Sequence, residues 1–254
     1  KQLKGTEKRD KYKVYGELIN TYGYNLEPGS KELTALNYYT NEEITIPLDP
    51  TQTPGENAQR YFAKYNKQKR TFEALTELIQ ETADDIQYLE SISNALDIAL
   101  NEADLAQIKE ELMQSGYIRR KHTKKKVKLT SKPMHYISSD GYDMYVGKNN
   151  LQNEELTFSF ANGNDWWFHA KGAPGSHVIV KSGGDELPDR TFEEAGRLAA
   201  YYSKNRGADK VEIDYIQKKH VKKPNGAKPG FVVYYTNYSL VIDSDISNIK
   251  NVQD

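Results

Sequence analysis

The sequence predicts an α+β chain: a long helical coiled-coil arm followed by a compact mixed β-sheet domain with one main helix. Three observations carry this. Residues 58–100 repeat apolar side chains at heptad spacing. From residue 134 onward, short apolar runs alternate with Gly, Pro and Asn turns, the texture of strands. One segment in that half, 191–207, returns to helical spacing.

Taken in order, residues 5–22 read as a helix with Val14, Leu18 and Ile19 on one side, broken by Gly23 to Gly29. Residues 43–47 read as a short strand, and Pro47, Pro50 and Pro54 punctuate the segment after it. Thr53-Pro54-x-Glu56 is a helix start: Thr at the N-cap, Pro at the first position, an acid in the first turn. The helix runs to about Asn101. One heptad set is Ala58, Tyr65, Phe72, Ile79, Ile86, Ser93 and Leu100; the other is Tyr61, Gln68, Leu75, Thr82, Leu89 and Leu96. At the α-helical rise such an arm is roughly 70 Å long. Its seam needs a partner, either an upstream segment or a second copy. A shorter helix over 103–115 ends at Gly116.

Residues 117–133 read as a basic linker closed by Pro133, giving domains 1–116 and 134–254 on either side. Strands are expected at 135–137, 142–146, 156–160, 166–169, 177–180, 211–215 and 231–235, with a hairpin turn at 147–150. Thr191 and Glu194 form a capping box for the helix whose buried stripe is Ala195, Leu198, Ala199 and Tyr202, ended by Gly207.

The formal net charge of −1 hides strong segregation. Residues 72–112 hold eleven Asp/Glu against one Lys, 119–132 hold eight Lys/Arg and no acid, and 217–230 hold five Lys and no acid. Local basic blocks are what bind phosphate. The absence of Cys excludes disulfides and thiolate metal sites and is compatible with a reduced cytoplasm. No apolar run is long enough to cross a membrane, so no membrane partner is expected, and the start at Lys1 reads as a fragment of a longer protein.

The densest chemistry lies in 165–178, which holds both Trp residues of the chain. Asp165, Trp166, Trp167, Phe168 and His169 run through Lys171 into Pro174, Gly175, Ser176 and His177. Strand alternation sends neighbours to opposite faces, so an aromatic enters the core while the other Trp and His169 or His177 face a ligand. Asp165 and Ser176 fix the turn. Aromatics beside Lys runs supply flat faces for bases and cations for phosphates. The cations are Lys124, Lys125 and Lys126 in the linker, which read equally as a solvated hinge. Others are Lys218, Lys219, Lys222 and Lys223 in a loop between strands, with Lys148 added at the hairpin. Seven residues between His169 and His177 match no metal-ligand spacing, and no nucleophile elbow surrounds Ser176. No enzyme activity, cofactor or metal is expected.

Asp-x-Trp-Phe-His followed by Pro-Gly-Ser-His-Val resembles the signature of the NFACT-R domain, with Trp166 at the variable position. Residues 147–153, 221–232, 46–50 and 57–67 resemble other parts of the NFACT, or fibronectin-binding protein A, family, in the family's order. The resemblance implies an RNA-binding domain after a coiled-coil middle region. It also implies a cytoplasmic role in ribosome quality control, with the large ribosomal subunit, tRNA and rRNA as partners and alanine tailing of stalled chains as the outcome. The family's names imply an alternative partner, fibronectin or fibrinogen, for an adhesin. A self-associating coiled coil is the third possibility.

Overall fold

The computed structural model describes residues 2–6, 8–119 and 130–252, and its architecture is α+β. Packing divides the chain into two compact units, Lys1–Asp84 and Asp85–Asp254, with the division inside the long helix.

The first unit holds α1 (Gln2–Thr6), α2 (Asp10–Tyr22), the hairpin β1 (Glu32–Asn37) with β2 (Glu42–Pro47), and the start of α3 (Pro54–Ile98). The expected 5–22 helix is therefore two helices. The strands pair antiparallel, Glu32 opposite Pro47 and Asn37 opposite Glu42. β1 alternates exposed and buried positions, so Leu33 and Ala35 join Leu18, Ile19, Ile46, Ala58 and Tyr61 in one core. α3 starts as the sequence indicates: Glu56 N–H donates to Thr53 Oγ1 (3.2 Å) and Thr53 N–H donates to Glu56 Oε2 (2.8 Å), a reciprocal cap.

The second unit contains the rest of α3, α4 (Glu102–Gln114) and a seven-stranded antiparallel sheet, in the order β8-β7-β5-β6-β4-β3-β9. The strands are β3 (Met134–Ile137), β4 (Asp143–Val146), β5 (Trp166–Ala170), β6 (Val178–Val180), β7 (Val211–Gln217), β8 (Tyr238–Ile242) and β9 (Lys250–Val252). Helices α5 (Asn150–Glu155) and α6 (Asp189–Tyr201) complete it. β6 is buried at every residue, as the central position of a covered sheet requires. The main core joins Met144, Val146, Phe168, Val178 and Val180 to Leu198 and Ala199 of α6. Full burial of an aromatic such as Phe168 or Trp167 contributes about 2–3 kcal/mol.

Four expectations are corrected. Residues 147–150 are not a hairpin turn: the Asn149 side chain accepts from Gln152 N–H (3.0 Å) and caps α5. Residues 156–160 continue α5 as a π-helical turn, whose backbone is satisfied locally, Ala161 N–H donating to Leu156 O (2.9 Å). Residues 231–235 form no sheet strand; their contact is a single bridge, Lys222 to Val233. Thr191 does not cap α6, which starts after Pro188. Its hydroxyl instead donates to Asp140 Oδ2 (2.8 Å), while Glu194 accepts from Ser139 N–H (2.7 Å).

The heptad seam is not the face that α3 buries in the second unit. Tyr88, Ile92, Ala95 and Ile98 are buried, whereas Ile86, Leu89 and Leu96 of the seam are exposed. The buried face meets a polar cluster. Lys148 Nζ lies 2.6 Å from Asp104 Oδ1, with the two side chains 9% and 1% exposed. Burial pushes the Asp104 carboxyl up, but hydrogen bonds from Lys148, Ser131 and the Leu100 N–H hold it below the usual range. Removing one member of a buried pair strands the other charge. Lys148→Ala is expected to cost about 3 kcal/mol in chemical denaturation of the second unit, and Lys148→Arg less.

Candidate nucleic-acid interface

β5 delivers its side chains alternately to two faces. Phe168 enters the main core and stacks on Tyr215 (5.4 Å between centroids, 13°). Trp166 and Trp167 go opposite ways. Trp166 is partly buried in a cleft with Phe192, Tyr215, Tyr238, Asp185 and Glu186, a setting with carboxylates and no cation among the described residues. Trp167 is fully buried on the other side, with Ile179, Ile216 and Val221. It also forms the wall of a second cleft of about 300 Å³.

That second cleft gathers His169, His177, Phe231 and Tyr234 around Trp167, with Asn150 and Asn153 beside them. The His169 ring stacks along Trp167 (5.7 Å, 19°) and meets His177 edge-on (5.5 Å, 88°). His177 is anchored twice: its N–H donates to Asn153 Oδ1 (2.9 Å), and its Nδ1 pairs with the Thr157 hydroxyl (2.8 Å). Tyr234 donates its hydroxyl to Asp214 Oδ2 (2.9 Å), and Asp214 also accepts from Ser239 Oγ (2.6 Å). Gly230 shapes the rim. Its φ is +79°, and a Cβ there would come within 3.0 Å of the Asn150 side chain, so the close approach requires glycine. Among the described residues the Trp167 Nε1–H and the Ser176 hydroxyl are buried without hydrogen-bond partners.

The turn residues act as the sequence indicates. Asp165 accepts from Asn162 N–H (2.7 Å) and Ser182 N–H (3.1 Å), and it pairs with Lys181 Nζ (2.5 Å). Ser176 N–H donates to Tyr202 O (3.0 Å), and Lys204 N–H donates to Pro174 O (2.9 Å). Gly175 bridges to Ser203. Pro174 and Gly175 thus hold the loop between β5 and β6 as one wall of the cleft.

The sequence-predicted cations separate into two groups. Lys148 is buried against Asp104, Lys171 pairs with Glu212 (2.5 Å), and Lys223 pairs with Glu154 (2.6 Å). Lys218, Lys219 and Lys222 carry no ion pair among the described residues; Lys219 and Lys222 are exposed, and Lys218 lies 5.9 Å from the Phe158 ring. Their loop is rigid. Lys218 N–H donates to Asp165 O (2.8 Å), Lys219 N–H to Gly163 O (3.0 Å), and Lys222 and Val233 exchange both backbone bonds (2.9 and 2.8 Å). Lys124, Lys125 and Lys126 lie outside the described residues. Sequence reasoning missed Tyr234 and Phe231 as cleft residues, and Asp214 as the acceptor that holds the Tyr234 hydroxyl. Tyr234 and Phe231 sit in a segment read as a strand, and nothing local marks them as neighbours of β5. Asn150 and Asn153 had a signal, three Asn within the five residues 149–153.

Two family patterns cover almost the whole chain. The one described as NFACT N-terminal and middle domains matches residues 1–131, and the one described as NFACT protein RNA binding domain matches residues 132–235. The chain belongs to the NFACT family. Among NFACT relatives, the protein named Rqc2 homolog RqcH of Streptococcus pneumoniae serotype 2 is 42% identical over 254 residues, covering 100% of this chain and 46% of that protein. The protein of the same name in Bacillus subtilis is 40% identical, covering 98% of this chain and 44% of its own length. The chain therefore spans about half the length of the curated relatives it matches. The solved C-terminal part of the fibronectin/fibrinogen-binding protein of Streptococcus suis aligns with a TM-score of 0.71 at 36% identity, covering 98% of this chain and 90% of that one.

Burial holds both imidazoles in their uncharged form, and for His177 the neighbouring His169 adds to it. Burial lowers His169 to about 4, against hydrogen bonding to Gly175, and burial with the adjacent His169 ring lowers His177 well below its ordinary 6.5. The unfolded chain therefore takes up more protons than the folded one between about 6.5 and about 4. Stability is full above 6.5 and falls as the pH drops through this window, by on the order of 3 kcal/mol for His169 alone. Denaturation across pH 7 to 4 checks this: His169→Gln should flatten the slope.

Proposed function

We propose that this chain is the RNA-binding part of a ribosome quality-control factor acting in the cytoplasm. The second unit holds RNA through the rigid basic turn at the end of β7. Lys218, Lys219 and Lys222 stand on a loop pinned at Asp165, Gly163 and Val233, with no carboxylate occupying them among the described residues. That observation carries the reading, because a pinned backbone sets where the three lysines start, so phosphate binding orders only their side chains and not the loop itself. The family description of residues 132–235 as an RNA-binding domain and the RqcH name of the relatives support it.

The finer reading is that the whole protein binds obstructed large ribosomal subunits and tRNA and supports alanine tailing. In that process the chain contributes positioning and not side-chain chemistry. Among the described residues no cluster of three or more His, Cys, Asp or Glu could hold a metal, and no helix is long and apolar enough to cross a membrane. An adhesin role rests on the name of the Streptococcus suis relative.

A salt titration of binding to single-stranded RNA tests the phosphate reading. The logarithm of affinity should fall steeply with the logarithm of salt, and Lys218/Lys219/Lys222→Ala should flatten that slope by about 2, close to 0.7 per lost phosphate contact. An unchanged slope in the triple variant would contradict it.

A further inference from the structure

We propose that the cleft walled by Trp167, His169, His177 and Tyr234 receives a single unstacked nucleobase of the bound RNA. The inference rests on the RNA-binding reading and adds a second, uncharged contact to it.

The cleft measures about 300 Å³, at the small end of ligand sites, and suits one planar ring better than a helix or a peptide strand. Its lining is aromatic and amide in character: Phe231, Tyr234, His169, Asn150 and Asn153. No lysine or arginine lines it among the described residues, and Glu90 is the one charged group at its edge. Such a lining offers phosphate no counter-charge. Both imidazoles are uncharged at neutral pH, since burial keeps them from protonating, so neither restores an anion site. Flat rings and amides without charge are the groups that hold an extruded base, by stacking and by hydrogen bonds to its edge.

The Trp167 indole supplies a further observation. The residue is fully buried in the cleft wall, yet its Nε1–H has no acceptor among the described residues. Buried donors are nearly always satisfied, and an orphan in the wall of a cleft points to an acceptor that arrives with the ligand. A base carries such acceptors as ring nitrogens and carbonyl oxygens. The covered Trp167 Nε1–H is the donor that such an acceptor would meet as the wall adjusts to a base, while Tyr234 and His169, both partly exposed, offer faces.

The geometry also connects the cleft to the basic turn. Trp167 pairs with Ile216 across β5 and β7, and Lys218 begins immediately after β7. Phosphates held at Lys218, Lys219 and Lys222 thus lie on the strand next to the one that carries the base site.

The test uses the Trp166→Phe protein, in which Trp167 is the sole tryptophan, and two ligands of equal charge: a single-stranded RNA hexamer and the same ribose-phosphate chain without bases. The hexamer should bind about 10-fold tighter than the abasic chain and change Trp167 emission, because stacking of one base on an aromatic is worth roughly that factor. His169→Ala should remove the difference while leaving the salt slope intact. Equal binding of both ligands with unchanged emission would overturn the base site and leave the phosphate reading standing. Binding of neither at low salt would overturn both. Nucleoside monophosphates that bind as tightly as the hexamer would assign the cleft to a free nucleotide and overturn its assignment to RNA.

Discussion

The second unit depends on a buried polar hub built by residues 148–153. Lys148 is held by Asp104, Asn149 Nδ2 donates to Gln107 Oε1 (2.9 Å), Asn150 Nδ2 to Glu111 Oε1 (2.8 Å), and Gln152 Nε2 to Gln107 Oε1 (2.6 Å). Each bond joins the start of α5 to α4. The last member, Asn153, turns the other way and accepts from His177 N–H (2.9 Å). One short run therefore ties the helical layer to the loop that forms the cleft. Such a network holds only when nearly every group is satisfied, since each unpaired buried polar group costs about 1–3 kcal/mol. Burial raises the Glu111 carboxyl above its ordinary range, and the Asn150 and Tyr88 hydrogen bonds offset part of that rise.

Two surfaces of different chemistry follow from this frame. The basic turn after β7 is fixed by backbone bonds and carries charge. The cleft beside it is fixed by the hub and is lined by no cation among the described residues, with Glu90 at its edge. Charge and shape are thus separated on adjacent strands, which under the proposed reading would let one contact set affinity through phosphate and the other respond to the base itself. Trp166, on the opposite face with Asp185 and Glu186, lies in the wrong electrostatic setting for phosphate.

Much of this was legible in the sequence, and the residues explain where legibility ended. The α+β class, the start of α3 at Pro54 and the strands around 166–170 and 178–180 follow from periodicity and capping, which are local. The division of labour between Trp166 and Trp167 was readable only as an alternation, without its direction. Residues 147–160 misled because Gly-x-Asn-Asn resembles a turn, whereas the asparagines serve as an N-cap and as long-range donors to α4. The heptad of α3 was real as a pattern, yet the residues buried in the second unit are Tyr88, Ile92, Ala95 and Ile98, offset from it. Ion pairs were invisible: nothing in the sequence shows that Lys171 meets Glu212 while Lys219 meets no carboxylate among the described residues. Partners brought together by tertiary structure cannot be read from spacing.

RNA that engages the cleft and the basic turn together must do so on one side of β5. The two tryptophans report on opposite sides, so the decisive experiment is a nuclear magnetic resonance titration of the ¹⁵N-labelled protein with single-stranded RNA, following both indole N–H signals and the amides of 217–223. The Trp167 indole and the 217–223 amides should move together while the Trp166 indole stays in place. Movement of the Trp166 indole with a silent Trp167 would place the RNA on the wrong face and refute joint engagement.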